Sequence, residues 1–169
     1  MNMMEALKNI RSVLNVGGDR NIRENEAFHI ANRALISHEA EDAIQLPYID
    51  WEEKCWGRVF HAFHSPDVAL SYLETKKGFC CSQHYHKNRV NFFLCITGSI
   101  VVERWVGITP VGVTIKKVLF PGDVMSVDCN ICHQFEVIES GKVVEVYWPG
   151  DGPVRLDDIV RFGVGGPLE

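Results

Sequence analysis

The stretch Ser82-Gln83-His84-Tyr85-His86-Lys87-Asn88-Arg89-Val90-Asn91 carries two histidines two residues apart, just ahead of the apolar run Phe92-Phe93-Leu94-Cys95-Ile96. Residues i and i+2 of a β-strand point to one face, so His84 and His86 are predicted to present both imidazoles to the same side. His133 lies between two further strand-like runs and is the candidate for a third donor. Three neutral imidazoles and one oxygen, that of Asn91, suit a divalent transition metal such as zinc, manganese or iron. The alternative is a pair of polar residues on a solvent-facing strand. Against it, the faces Asn91-Phe93-Cys95 and His133-Phe135-Val137 are largely apolar. A histidine leading such a face needs a partner or a ligand.

Other residues extend this chemistry. Arg89 and Lys87 follow the histidine pair and could hold a phosphate at a barrel mouth; the alternative is ordinary surface charge. Glu145 alternates with Val143 and Tyr147, so the three share a face. If that face lines a barrel, Glu145 is a candidate general base; if it faces out, Glu145 is a surface residue. His61 and His64 are three apart, on opposite faces of a strand, and so are poor joint ligands. Cys129-Asn130-Ile131-Cys132-His133 matches a haem c attachment pattern, which requires an oxidising compartment and an export signal that the first residues do not show. A zinc site on Cys129 and Cys132 would need a second cysteine pair, and Cys80-Cys81 lacks the usual gap. The alternative is that most of the six cysteines are small buried apolar residues, which is the reading for Cys95, while Cys129 and Cys132 stay open.

The elements that must position these groups change character along the chain. Residues 1–50 read as helical: Met3, Met4, Leu7, Ile10, Val13 and Leu14 follow the i, i+3, i+4 pattern and Gly17-Gly18 stops it. Asn21 and Glu24 resemble a capping box for a second helix, on which Ala27, Phe28, Ala31 and Leu35 form the apolar face. His29 and His38 are read as surface residues of these helices. From Trp56 the period becomes two. Strands are predicted at 58–63, 68–75, 79–86, 91–97, 100–106, 111–120, 123–127, 134–138 and 143–148, separated by Gly, Pro and Ser turn signals. Many short strands indicate an all-β sandwich or barrel. A short ordered segment, 156–162, is expected in the Gly- and Pro-rich tail. The second apolar face carrying Phe92, Leu94 and Ile96 implies packing against a sheet, the N-terminal helices or a second subunit, and a homodimer is expected.

With 169 residues and a net charge of −5, the chain is expected to form one domain with an extension. It has no basic block and no apolar run near the ~20 residues that span a membrane. Nucleic-acid and membrane partners are therefore not expected, and the first residues, lacking signal-peptide character, suggest the cytoplasm.

The motifs together resemble a cupin, and more narrowly the C-terminal isomerase domain of type II mannose-6-phosphate isomerases fused to a mannose-1-phosphate guanylyltransferase. Glu53-Lys54 with Trp56-Gly57-Arg58 is similar to the family's opening motif, and His84-Tyr85-His86-Lys87-Asn88-Arg89 to its first metal motif. Pro121-Gly122-Asp123 leads into the second motif, where His133 takes the histidine position. Asp157-Asp158-Ile159-Val160-Arg161 is similar to the C-terminal motif. The likeness spans roughly residues 51 to 163. It implies a cupin double-stranded β-helix (jelly roll) over 51–169 with a helical extension over 1–50. It also implies a metal on His84, His86, Asn91 and His133, catalysis by Glu145 and Arg89, and a sugar or sugar-phosphate substrate. Two departures stand out. Asn91 replaces the family's glutamate, and Asp128 and Asn130 replace the proline and glycine before the second-motif histidine. Asn tolerates the left-handed backbone that glycine would take. An aldose–ketose isomerase is the first functional expectation. A non-catalytic sugar-binding or sensing module and a metal-dependent dioxygenase are the alternatives.

Overall fold

The computed structural model describes residues 50–168; the helical elements expected over 1–50, with His29 and His38, lie outside the described residues. Residues 50–168 form a curled, all-β antiparallel structure. The strands are β1 (Glu52–Lys54), β2 (Gly57–His64), β3 (Ala69–Thr75), β4 (Phe79–Cys80), β5 (His84–Tyr85), β6 (Arg89–Trp105), β7 (Thr114–Leu119), β8 (Val124–Val127), β9 (His133–Pro149), β10 (Val160–Arg161) and β11 (Gly166–Pro167). One path of pairing runs β1-β2-β3-β9-β4-β11; β6 pairs with β7, β8 and β9, and β5 with β9 and β10.

Two 17-residue strands, β6 and β9, organise the rest. They pair along nearly their whole length, from Arg89 opposite Pro149 to Arg104 opposite His133. Sequence reading divides each into two strands, at Thr97-Gly98 and at Ser140-Gly141. The structure instead bends both strands together at these points, with register irregularities between Cys95 and Ile100. The glycines permit it. A Cβ on Gly141 would lie 1.9 Å from the Thr97 carbonyl oxygen, and one on Gly98, whose φ is +73°, 2.5 Å from that of Ser140. Only glycine lets the backbones approach that closely, so the ladder bulges and continues where a turn signal was read.

The opposite correction applies to 79–86. The expected single strand breaks into β4 and β5, and His86 follows the end of β5. Three short pairings were not read from sequence: β1 with β2, β10 with β5 and β11 with β4. Two- and three-residue strands carry too little periodicity to be seen. Val160–Arg161 does fall in the tail segment expected to be ordered.

Inside the curl lies an apolar core that includes Phe93, Phe135, Val102, Leu119 and Val127, each at most 3 % exposed. Burying a side chain of the size of Phe93 contributes about 2–3 kcal/mol. The outward face of β6 is also covered: Phe92 and Leu94 are 3 % and 0 % exposed in the single chain. The homodimer stands as a proposal, which light scattering at micromolar concentration tests: a monomer mass near 19.1 kDa would contradict it. The most exposed large apolar side chains among the described residues are Val106, Val111, Val113 and Val164.

Candidate metal centre

His84 and His133 face each other across the β5–β9 pairing. His86 reaches the same point from the segment between β5 and β6. The ring centroids are 4.4 Å apart for His84–His133, 5.0 Å for His84–His86 and 5.4 Å for His86–His133. One nitrogen from each ring lies within 4.8 Å of the others. All three side chains are buried. Among the described residues they form the one cluster of His, Cys, Asp and Glu side chains able to hold an ion.

Backbone carbonyls fix which nitrogen each ring offers. Nδ1 of His84 donates to Ser82 O at 2.7 Å, Nδ1 of His86 to Asp158 O at 2.5 Å, and Nδ1 of His133 to Ile131 O at 2.9 Å. A nitrogen facing a carbonyl carries the proton, so each neutral ring presents the Nε2 lone pair to the cluster. Nε2 of His86 is buried without a hydrogen-bond partner. A divalent cation on three Nε2 atoms would satisfy it, so the residues fit a metal.

Burial also sets the charge. It pushes the pKa of His84 and of His86 well below the usual imidazole value, with the neighbouring His133 adding to the shift. It pushes His133 down to about 4. Neutral imidazoles at neutral pH are the form that binds metal.

Behind the histidines stands a polar chain. Asn91, 1 % exposed, directs its amide nitrogen to His133 Nε2 at 3.5 Å and to Glu145 Oε1 at 3.4 Å; its Oδ1 is buried without a partner. To serve as an oxygen ligand, the Asn91 amide would have to turn its Oδ1 toward the histidines. The other oxygen of Glu145 accepts from the Tyr147 hydroxyl. Glu145 lies inward in a cavity of about 710 Å³ that His84, His86, Arg89 and Tyr147 also line. Burial raises its pKa above the usual carboxylate value, against the hydrogen bonds from Tyr147 and Asn91. Burial and the facing Glu145 push the Tyr147 hydroxyl well above its ordinary value.

Arg89 and Lys87, grouped by sequence, separate. Arg89 is 4 % exposed, lies over the Tyr147 ring at 4.1 Å and donates to Arg155 O at 2.7 Å. Lys87 is exposed. His61 and His64 serve different places: His61 Nδ1 meets Ser71 Oγ at 2.8 Å, and His64 Nε2 meets Val154 O at 3.2 Å. Cys95 and Cys132 are buried, whereas Cys129 is half-buried and donates to Asp151. Asn130 adopts φ +60°, the left-handed conformation expected of it.

Asp158 is the functional residue that spacing alone could not find. Besides its carbonyl bond to His86, its carboxylate accepts from the Lys87 N–H at 3.1 Å and the Asn88 N–H at 2.7 Å. It thus pins the turn after the histidine pair from some 70 residues away. The only signal was its place in the tail motif. Asp158→Ala frees that turn, and with it the carbonyl that orients His86. Outer partners of this kind are worth about 10- to 100-fold in metal affinity. A zinc titration against a competing chelator checks this; an affinity equal to wild type would show that the turn holds itself.

Asn91→Glu is expected to tighten metal binding by placing a full negative charge beside the ion. The extra methylene must fit a site where Asn91 is already buried, and the same chelator competition reads the result. Unchanged or weaker affinity in a folded variant would mean that residue 91 does not face the ion.

No family model matches the chain, and no curated protein does. Solved structures do match. Oxalate decarboxylase from Bacillus subtilis superposes with a TM-score of 0.57 at 16 % identity, over 69 % of this chain and 30 % of that one. KdgF from Halomonas sp. gives 0.51 at 19 % identity, over 60 % and 88 %. The fold is a cupin fold. CapF, solved with the inhibitor 3-isopropenyl-tropolone, gives 0.56 at 16 % identity over 69 % of this chain and 35 % of its own. The chain thus spans about a third of the length of oxalate decarboxylase and of CapF, and at these identities the likeness concerns the cupin architecture. The buried three-histidine cluster inside that architecture is consistent with a divalent metal.

Proposed function

We propose that this cupin is a metal-dependent enzyme that moves a proton on a small, oxygen-rich substrate, in the first instance as an aldose–ketose isomerase acting on a sugar or sugar phosphate. The observation that carries the reading is that His84 and His86, two members of the three-histidine cluster, line one cavity with a buried carboxylate of raised pKa, Glu145, which Asn91 links to the third, His133. A bound divalent ion would polarise a substrate carbonyl or hydroxyl oxygen. Glu145, held between Asn91 and Tyr147, is positioned to take a proton from one carbon and return it to its neighbour. Its raised pKa brings it closer to neutrality, where a base works best.

The test incubates zinc- or manganese-loaded protein with aldoses and their phosphates in D₂O and follows deuterium entering the carbon next to the carbonyl. Exchange that disappears in Glu145→Gln supports the reading. Its absence across the panel, with metal bound, would favour a module that binds without turnover.

A second reading is a metal-dependent dioxygenase. What favours it is the donor set itself, three imidazoles with Asn91 in place of a carboxylate. Iron in the purified protein together with substrate-dependent oxygen consumption would select it.

A further inference from the structure

We infer that the cavity takes a small carboxylate whose adjacent carbon bears a hydroxyl or carbonyl oxygen, a class that includes sugar acids. The inference rests on the metal-centre reading and names the substrate class for it. Its first support is charge. Three imidazoles bring no negative charge, so an ion held by them keeps its full +2. Arg89 adds a further positive charge, and its Nε is buried without a hydrogen-bond partner. Among the described residues no carboxylate comes within ion-pair distance of Arg89; its close contacts are the Tyr147 ring and the Arg155 carbonyl. Arg161, which also lines the cavity, pairs with His84 across β10 and β5 and likewise has no ion pair among these residues. Of the carboxylates lining the cavity, buried Glu145 is already engaged by Asn91 and Tyr147, and the exposed Glu52 and Asp157 pair with Lys54 and Arg155. A buried cation without a countercharge is costly, and an anionic substrate supplies the countercharge.

The second support is distance. Arg89 and Asn91 share a face of β6, two residues or roughly 7 Å apart. The Asn91 amide is itself 3.5 Å from His133 Nε2. The Arg89 guanidinium lies 4.1 Å from the centre of the Tyr147 ring, which is 6.0 Å from that of His86, so an anionic group held by Arg89 lies near the three histidines. A short acid whose carboxylate sits next to an oxygen-bearing carbon can engage the guanidinium and the histidines together. A planar guanidinium also matches a carboxylate through two parallel hydrogen bonds.

Glycolate is the probe, with ethane-1,2-diol as its neutral counterpart and inorganic phosphate as the other oxyanion. Calorimetry is run on zinc-loaded and metal-free protein. Glycolate is expected to bind the loaded protein about tenfold or more tightly than the diol, and more tightly than phosphate. Arg89→Gln is expected to weaken glycolate about tenfold while leaving the zinc stoichiometry unchanged. Arg161→Gln, at an exposed position, is expected to weaken it less, and it decides the matter should Arg89→Gln not fold. Equal binding of the diol, tighter binding of phosphate, or wild-type glycolate affinity in the folded variants would overturn the inference. Should zinc fail to bind the wild-type chain, the metal reading fails. Arginine-dependent glycolate binding by the metal-free protein would then still uphold the anion site, and its absence would remove it.

Discussion

Replacing His133 by Gln is expected to lower zinc affinity more than a hundredfold, while the wild-type chain binds one ion. The expectation follows from the position of His133 in the cluster. Its ring is the closest neighbour of His84, and its Nε2 is fixed toward the site by the Nδ1 bond to Ile131. Loss of an outer partner typically costs 10- to 100-fold, and loss of a ligand costs more. His133 is 1 % exposed and also packs against Phe93, so an alanine would leave a void and confuse folding with binding. Glutamine keeps most of the volume. Competition with a chromophoric chelator measures affinity, and a thermal melt of the metal-free variant confirms that it folds. A folded His133→Gln chain with wild-type zinc affinity would show that the three imidazoles do not act on one ion.

Much of this centre can be read in the sequence because its ligands are chemically distinctive and two of them are adjacent. His84 and His86 announce themselves by spacing, although the reason is only half that of a strand. His84 lies on β5, but His86 is placed by Asp158, a contact between residues 72 positions apart that no local pattern encodes. Glu145 is ambiguous in sequence for a similar reason. Both faces of its strand are buried, as Val144 and Val146 on one side and Val143 and Tyr147 on the other show. Alternation therefore cannot tell inside from outside. The bends at Gly98 and Gly141 mislead more directly, because a glycine that permits close approach of two backbones looks the same in sequence as one that turns the chain. Arg89 and Lys87 are equal as charges on paper. Only the stacking on Tyr147 and the reach to Arg155 separate the buried one from the solvated one.

Acid is expected to unfold the metal-free protein well before it would unfold a chain without buried histidines. In the folded state burial holds the pKa of His84, His86 and His133 below the ordinary value of 6.5, that of His133 at about 4. The unfolded chain takes up these protons near pH 6.5 and the folded chain resists them. Between those limits the unfolded state binds more protons, so stability is fully present above pH 6.5 and falls as pH drops toward 4. For His133 alone the shift corresponds to about 3 kcal/mol, a large part of a typical 5–15 kcal/mol. Glu145 works in the opposite direction. Its raised folded pKa lets the native state gain a proton first as pH falls, which offsets part of the loss. Three imidazoles outweigh one carboxyl, so the net effect is destabilising. Urea titrations followed by tryptophan fluorescence at pH 7.5 and pH 5 are expected to show a clearly lower midpoint at the acid pH. Zinc at pH 7.5 should raise the midpoint, because it binds the neutral imidazoles of the native state. An identical midpoint at both pH values in metal-free protein would mean that the three rings are not held neutral, and the case for a preformed metal centre would lose its electrostatic basis.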